Sequence, residues 1–311
     1  MTDCSDAMTD IPLHQLCLPG SHNSGSYGVH GKNVSGDCDA ALVRYIKHVP
    51  GVAGFVARWA KCQRLSIMEQ LDAGIRYFDM RIQVCHDDTI RLCHSLWSIT
   101  LNDFLDQVHA FLDANPLELV VLDVNHIYLP HPRHHSRIAE ACIQHLGRAR
   151  VARAFDASPH MSLRAFRAKN VQVILIYHNA DTAHLFDVWG PHSITAPWPN
   201  VASKTRIFSY AYEVLHARVL TPPQLHVLQL VPTARGKDLL RHLSVLKFSR
   251  PIVLEAPQWL LNLFDQTPAL LPSCNIVLVD DCAWNDNALV TALLQLNERK
   301  AEMRIKSINI T

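Results

Sequence analysis

The sequence predicts an α/β protein that folds as a single (β/α) barrel, and three observations favour this fold. Seven apolar runs of strand length recur along the 311 residues, with amphipathic helical segments between most of them. No linker rich in glycine, serine or proline interrupts the chain, so we expect one domain over residues 1–311. No Gly-x-Gly-x-x-Gly turn follows the first strand, which counts against a doubly wound open sheet.

The order of the elements follows from the spacing of apolar residues. Strands are predicted at residues 13–18, 75–84, 90–94, 117–125, 171–177, 226–231 and 275–280. Ser66 and Thr100 each begin a helix, because a carboxylate three residues later completes a capping box. The last helix is predicted over residues 287–297. Residues 30–63 make a long connection after the first strand, and residues 178–225 show weak periodicity.

Composition and charge exclude several classes of protein. Lys and Arg total 29 while Asp and Glu total 28, and this net charge of +1 argues against sequence-independent nucleic-acid binding. No run approaches about 20 consecutive apolar residues, so no membrane-spanning helix is expected. The N-terminus is acidic and polar, unlike a signal peptide, and the nine cysteines have no paired spacing. We therefore expect a cytoplasmic monomer with reduced thiols.

Residues with chemical potential follow three of the predicted strands. The first strand leads into a Gly-Ser-His-Asn-Ser-Gly segment that contains His22, and its glycines allow a sharp turn and a close approach to a ligand. The second strand ends in Asp79 and Arg81, which the period of two places on one face. The third strand ends at His94. In a barrel these strand ends meet at one rim, where active sites are built.

Two histidines around an arginine suit the cleavage of a phosphodiester without a metal ion. One imidazole takes a proton from the nucleophile, and the other gives a proton to the leaving group. The guanidinium neutralises the phosphate and the charge that builds on its oxygens. We therefore predict an active site formed by His22, Arg81 and His94 that requires no cofactor and no metal.

The segments around these residues resemble the X domain of phosphatidylinositol-specific phospholipases C. The resemblance is carried by GSHNS at 20–24, QLDAGIRYFDMR at 70–81, His94, VVLDVNHIY at 120–128 and the similarity of NIVLVD at 275–280 to the last barrel strand of that family. Its motifs are dense over residues 12–128 and sparse over residues 226–297. The match is best to the metal-independent branch that consists of an X domain alone. Residues 58–66 are also similar to the glycosylphosphatidylinositol-cleaving phospholipase C of trypanosomes.

This resemblance implies a distorted TIM-type (β/α) barrel and a two-step reaction on phosphatidylinositol or glycosylphosphatidylinositol. In the first step the inositol 2-hydroxyl attacks phosphorus and expels diacylglycerol, which leaves inositol 1,2-cyclic phosphate. Carried over to this chain, the resemblance makes His22 the general base and His94 the general acid. Arg81 takes the place of the calcium ion of the larger eukaryotic enzymes. Asp280 matches the carboxylate that orients the base, and Asp79 sits beside Arg81.

The resemblance also implies a substrate pocket and a partner at the membrane surface. The residues expected to line the inositol pocket are Asn125, Tyr177 and Gln229. Because the substrate lies in a bilayer, we expect peripheral membrane association. Residues 49–59 form an apolar segment with Arg58 and Trp59 at its edge, which suits interfacial docking. A helix packed on the barrel is the alternative for this segment.

One residue departs from the bacterial pattern. Secreted bacterial members have Asp directly after the first His, where it supports the general acid, whereas this chain has Asn23. Calcium-dependent members have Asn there as a metal ligand, but Arg81 occupies the space of the ion, so we keep the metal-free interpretation and count Asn23 as a substrate-binding residue. Asp123 is the nearest candidate for a replacement carboxylate. Among the thiols, Cys62 is the one expected to be exposed.

Two other functions stay open at the level of sequence. Another barrel phosphodiesterase, of the glycerophosphodiester or sphingomyelin type, would use carboxylate-bound magnesium, and the Glu-rich cluster that it needs near the first His is absent. A lapsed enzyme that binds inositol lipids or a partner protein is the other alternative. The complete set of His22, Arg81 and His94 counts against it, while Asn23 keeps it open.

Overall fold

The protein was analysed as a computed structural model that describes residues 5–38, 45, 48–129, 131–218, 220 and 223–308. The strands are β1 (Leu18–Ser21), β2 (Tyr77–Val84), β3 (Ile90–His94), β4 (Leu96–Thr100), β5 (Val120–Tyr128), β6 (Val173–Tyr177), β7 (Ile194–Thr195), β8 (Leu225–Gln229) and β9 (Ile276–Val279). The helices are α1 (Asp6–Thr9), α2 (Val52–Ala60), α3 (Ile67–Asp72), α4 (Leu101–Ala114), α5 (His134–Leu146), α6 (Leu163–Ala168), α7 (Ala180–Leu185), α8 (Lys204–Ala217), α9 (Gly236–Arg241), α10 (Val245–Gln266) and α11 (Trp284–Ile308). None of the helices within these ranges combines the length and apolar character that crossing a bilayer requires.

Parallel strands form the wall of an open barrel. Neighbouring strands follow the order β6-β5-β2-β1-β9-β8-β7, and every pair along this path is parallel. The hairpin of β3 and β4 extends antiparallel from the end of β2. In the described part of the chain no ladder joins β6 to β7, so hydrogen bonds do not close the barrel. The carboxyl ends of the parallel strands meet at one rim, which positions the residues that follow them.

Apolar residues pack on both sides of the strands, as the nearly continuous apolar runs predict. Every residue of β6 is buried. Leu175 and Tyr177 belong to the large core between the sheet and the helices. Ile174 and Ile176 belong to a second core inside the barrel, together with Val121 of β5. The alternation along each strand therefore separates residues that face the helices from residues that face the barrel interior.

Both predicted capping boxes are present. The hydroxyl of Thr100 accepts a hydrogen bond from the backbone N–H of Asp103, and the Asp103 carboxylate accepts one from the backbone N–H of Thr100. Ser66 and Glu69 form the same reciprocal pair at the start of α3. Each box satisfies N–H groups that the first turn of a helix leaves without partners.

Six of the seven predicted strands overlap an observed strand over most of its length, the first shares only Leu18 with β1, and the barrel architecture is confirmed. Residues 13–15 form a short 3₁₀ turn, so β1 begins only at Leu18. The sequence pattern did not indicate β4 or β7, because β4 follows β3 after one residue and β7 is only two residues long. The last helix extends to Ile308, well past the predicted end at residue 297.

Candidate active site

His22 lies directly after β1, and its ring is held by Asp280, directly after β9. Nδ1 of His22 is 2.7 Å from Oδ1 of Asp280. Because a carboxylate only accepts hydrogen bonds, this contact assigns the proton to Nδ1 and leaves Nε2 as an acceptor. The side-chain amide of Asn23 donates to that Nε2 at 3.1 Å. The two contacts fix the ring with its proton-accepting nitrogen beside Asn23.

His94 ends β3, and its ring centroid is 6.3 Å from that of His22. Nδ1 of His94 is 2.7 Å from the backbone carbonyl of Ala60, the last residue of α2. Since a carbonyl can only accept, Nδ1 carries the proton and Nε2 is free to exchange one. Burial, together with the positive charge of Arg81, lowers the pKa of His94 to about 4.

Asp79 and Arg81 project from β2 into a cavity of about 500 Å³, while Phe78 and Met80 pack against the helices. This is the alternation that the sequence predicts. Nη1 of Arg81 lies 3.7 Å from Oδ2 of Asp37, which pairs the guanidinium with a second carboxylate. The same Asp37 accepts a hydrogen bond through Oδ1 from the backbone N–H that follows His94, at 2.9 Å.

The carboxylate of Asp79 connects three parts of the site. One oxygen accepts the backbone N–H of Asn23 at 2.8 Å, and the other accepts the side-chain amide of Asn125 at 2.5 Å. Burial raises the pKa of Asp79, but the charges of His22 and Arg81 and these hydrogen bonds outweigh burial, so the pKa is lowered. Asn23 itself has a left-handed backbone (φ 44°), which asparagine tolerates better than most residues.

A second histidine–carboxylate pair lies on the strands next to Asp79, where Asp123 of β5 is in register with Asp79 of β2. Nε2 of His178 lies 2.8 Å from Oδ1 of Asp123, and Oδ2 of Asp123 accepts the hydroxyl of Tyr77 at 2.5 Å. Burial lowers the pKa of His178, but the hydrogen bond and charge of Asp123 outweigh it, and the pKa is raised. Gln229, at the end of β8, also lines the cavity and donates to the backbone carbonyl of Ala196 at 2.8 Å.

The structure brings most of the predicted residues to one cavity. Its lining includes His22, Asp79, Arg81, His94, Asn125, Gln229 and Asp280. Asn23 contacts His22 from beside this lining. Tyr177 is not brought to the cavity: it is fully buried on the helix-facing side of β6, and its hydroxyl contacts His135. The reason is the period of two, which turns residue 177 outward.

Two further expectations are wrong, and one residue of the site was not predicted. Asp123 does not support His94, because both of its oxygens are engaged by His178 and Tyr77. Cys62 is not exposed but fully buried, with Sγ 3.5 Å from Nδ1 of His94. Sequence reasoning missed His178, although it directly follows a predicted strand, which is the signal that identified the other site residues.

The predicted docking segment is mostly a packed helix. Residues 52–60 form α2, in which Val56 and Ala60 are buried against Val29 and Leu96. The guanidinium of Arg58 donates to the backbone carbonyl of Leu243, so α2 adjoins the segment that follows α9. The alternative of a helix packed on the barrel therefore describes residues 52–60.

The residues around Arg81 do not fit a calcium ion. Calcium requires six to eight oxygen ligands. Here the guanidinium lies among the carboxylates of Asp79 and Asp37, and both oxygens of Asp79 already accept hydrogen bonds. A second cation at this position would face the charge of Arg81 at close range.

Comparison with solved structures assigns the fold class. The phosphatidylinositol-specific phospholipase C of Listeria monocytogenes superposes with a TM-score of 0.67 over 95% of this chain and 97% of its own, at 16% sequence identity. The architecture is thus the distorted barrel of that class of phospholipase.

Sequence comparison assigns the family. The PI-PLC X family model, described as PI-PLC X 1, matches residues 50–186. Human PI-PLC X domain-containing protein 2 is 32% identical over 75% of this chain and 77% of its own length. The variant-surface-glycoprotein phospholipase C of Trypanosoma cruzi is 35% identical over 42% of this chain and 36% of its own. The chain belongs to the PI-PLC X domain family.

Proposed function

We propose that this protein is a phospholipase C that cleaves phosphatidylinositol or glycosylphosphatidylinositol to diacylglycerol and inositol 1,2-cyclic phosphate. One observation carries the proposal. Two imidazoles line the same cavity as Arg81, each with Nδ1–H donating to an acceptor and an unprotonated Nε2, which in His22 also accepts a hydrogen bond from Asn23. That arrangement provides a base, an acid and a cation for a phosphodiester.

In the proposed reaction His22 acts first. Its Nε2 takes the proton of the inositol 2-hydroxyl as the oxygen attacks phosphorus, and Asp280 stabilises the imidazolium that forms. The bond between phosphorus and the glycerol oxygen breaks, and Nε2 of His94 gives a proton to that oxygen. In the second step water opens the cyclic phosphate with the two histidines in exchanged roles.

His94 must be protonated before it can act as the acid. Bound substrate favours this protonated form. In the free protein burial and Arg81 keep the pKa of His94 at about 4. A phosphodiester brings one negative charge next to Arg81 and offsets part of its repulsion. Bound substrate therefore raises the proton affinity of His94 at the moment when the acid is required.

Arg81 supplies the positive charge that stabilises the pentacoordinate phosphorus. A guanidinium can give two parallel hydrogen bonds to phosphate oxygens. Its ion pair with Asp37 and the negative charge of Asp79 stabilise it at the cavity wall. We assign Asn23, Asn125 and Gln229 to the inositol ring, because their amides can donate to and accept from ring hydroxyls.

Membrane contact is assigned to apolar side chains at the rim rather than to the whole of residues 49–59. Leu240 is 90% exposed and Leu243 is 64% exposed, and Trp198 on the cavity lining is 52% exposed. Such apolar side chains suit shallow insertion between lipid headgroups. Arg58 of α2 donates a hydrogen bond to the backbone carbonyl of Leu243, so Leu243 adjoins α2. We expect the two to form one continuous edge against the bilayer.

The deciding assay incubates the protein with phosphatidylinositol vesicles in EDTA and follows the products by phosphorus NMR. We expect the signal of a cyclic phosphodiester to appear first. Release of inositol monophosphate with no cyclic product, or activity only after magnesium addition, would favour the metal-dependent barrel phosphodiesterases. Vesicle binding without any cleavage would favour a lapsed enzyme.

A further inference from the structure

We infer that His22, Cys62 and Asp280 form a binding site for a thiophilic metal ion such as Zn²⁺, and that an ion held there blocks the active site. The binding half of this inference stands on geometry alone. The blocking half rests on the proposed function, since it assumes that His22 is the general base.

The three side chains converge at the base of the cavity. One ligand atom from each residue lies within 4.8 Å of the other two, and they form the one such group of His, Cys, Asp or Glu ligands found among the described residues. Zn–N and Zn–S bonds of about 2.0 and 2.3 Å in a tetrahedron separate the ligand atoms by roughly 3.5 Å. Side-chain shifts of about 1 Å would therefore close the site around an ion.

Burial and an unused acceptor support a ligand at this position. Cys62 and Asp280 are both fully buried. Oδ1 of Asp280 binds His22, while Oδ2 is buried without a hydrogen-bond partner in the described part of the chain. Most buried polar atoms have partners, so an orphaned carboxylate oxygen beside a thiol and an imidazole marks a place where a cation would be stabilised.

The ligand types select the metal. A thiol, an imidazole and one carboxylate suit Zn²⁺ or another borderline transition ion, whereas Ca²⁺ and Mg²⁺ prefer oxygen ligands alone. Cys62 loses its proton to solvent when the ion binds, so binding releases one proton from the thiol. Three protein ligands leave a fourth position of the tetrahedron for water or a substrate oxygen.

An ion bound here removes the base from catalysis. Coordination through Nε2 of His22 would occupy the nitrogen that accepts the proton. Coordination through Nδ1 would move the ring proton to Nε2 and break the hydrogen bond to Asp280, so either mode removes the base. The active form is then the metal-free one, so EDTA raises the activity of a preparation that carries trace zinc. This direction is opposite to the loss that EDTA causes in a calcium-dependent phospholipase.

Binding is tested without reference to activity. Co²⁺ titrated into the purified protein should produce a thiolate-to-cobalt charge-transfer band and intense tetrahedral d–d bands, and Zn²⁺ should abolish both and raise the melting temperature. Cys62→Ala should lose the charge-transfer band, and the matched variant Cys142→Ala, at a buried cysteine in α5, should keep it. Asp280→Asn provides a second ligand variant, and it should bind Co²⁺ more weakly.

Inhibition is tested next on phosphatidylinositol vesicles. Zn²⁺ should inhibit the wild type and the Cys142→Ala variant, while Cys62→Ala, scored against its own zinc-free rate, needs about 10²-fold more zinc for the same fractional inhibition. A charge-transfer band that survives in Cys62→Ala, or no cobalt band in the wild type, overturns the site. Inhibition equal in wild type and Cys62→Ala overturns the blocking role. A wild type that binds cobalt but never cleaves lipid contradicts the proposed function and leaves the metal site standing.

Discussion

The Nδ1–H group of His94 donates a hydrogen bond to the backbone carbonyl of Ala60, at 2.7 Å. A carbonyl orients the ring as a carboxylate would, but it brings no full negative charge to hold the imidazole in its protonated form. Asn23 carries no charge. In the described part of the chain, no carboxylate hydrogen-bonds to Nδ1 of His94 in its place. His94 depends on its substrate for protonation more than a carboxylate-paired acid would.

Loss of either histidine should abolish most of the activity while the fold survives. His22→Ala and His94→Ala should each lower turnover by about 10²-fold or more, because general acid and general base contributions have that size. His216→Ala, on the exposed face at the end of α8, is the matched control and should behave as wild type. Turnover is measured on phosphatidylinositol vesicles, with circular dichroism to confirm folding. Near-full activity of His94→Ala would show that another group is the acid.

The protonation of His94 should respond to both Arg81 and phosphate. In the free protein its imidazole should titrate at about pH 4, well below an ordinary histidine, because burial and Arg81 disfavour the cation. Arg81→Gln should raise that pKa, and inositol 1-phosphate bound to the wild type should raise it as well. Nitrogen-15 NMR of labelled histidines gives the titration curves, with His94→Ala to assign the signals. An unliganded His94 that titrates near pH 6.5 would contradict this electrostatic account.

Lysine at position 81 should not replace the function of Arg81, and the wild type should not depend on calcium. Arg81→Lys keeps the charge but loses the planar pair of donors, so activity should fall by about 10²-fold, the scale of losing one oxyanion donor. Wild-type rates in EDTA and in millimolar calcium should not differ by the large factor of a calcium-dependent enzyme. A wild type that is silent in EDTA and rescued by calcium would make Asn23 and Asp79 metal ligands instead.

The exposed leucines Leu240, in α9, and Leu243, just after α9, should affect membrane binding and not the chemical step. Leu240→Asp combined with Leu243→Asp should weaken binding to phosphatidylinositol vesicles by about 10-fold or more, since two apolar side chains that would enter the bilayer surface are lost and two charges are added. Hydrolysis of soluble inositol 1,2-cyclic phosphate should stay unchanged. Leu185→Asp, at an exposed leucine in α7, serves as the control. Equal losses on the soluble and vesicle substrates would mean that the double variant disturbs the active site.

A buried ion pair should make stability depend on acid pH. Nε of Arg76 is 2.8 Å from Oε2 of Glu118, and both side chains are buried. Burial raises the pKa of Glu118, but Arg76 outweighs burial and the pKa is lowered to about 2. Because the folded pKa lies below the unfolded value, this contribution is complete above about pH 4.5 and is lost as pH falls towards 2. Glu118→Leu should lower the free energy of unfolding by about 3–5 kcal/mol in urea titrations at pH 7, since it leaves Arg76 unpaired. A loss below about 1 kcal/mol would contradict the stabilising role of this ion pair.

The sequence by itself determined which residues reach the rim. Strand ends are visible in local apolar patterns, and a parallel barrel brings its carboxyl ends to one edge, so His22, Arg81 and His94 could be predicted to meet. The family resemblance added Asp280, which lies 258 residues from its partner His22 in the chain. The prediction that Tyr177 lines the inositol pocket was wrong, because its position on β6 turns its side chain towards the helices.

Only the tertiary structure decided what surrounds those residues. The C-terminal end of α2 returns to the rim and delivers the carbonyl of Ala60 and the thiol of Cys62 next to His94. Asp123 turns to Tyr77 and His178 instead of His94. A local pattern predicts that a helix forms and which side is apolar. Where its last residues come to lie depends on packing against distant elements, here Val29 and Leu96, and no periodicity in the sequence encodes that distance.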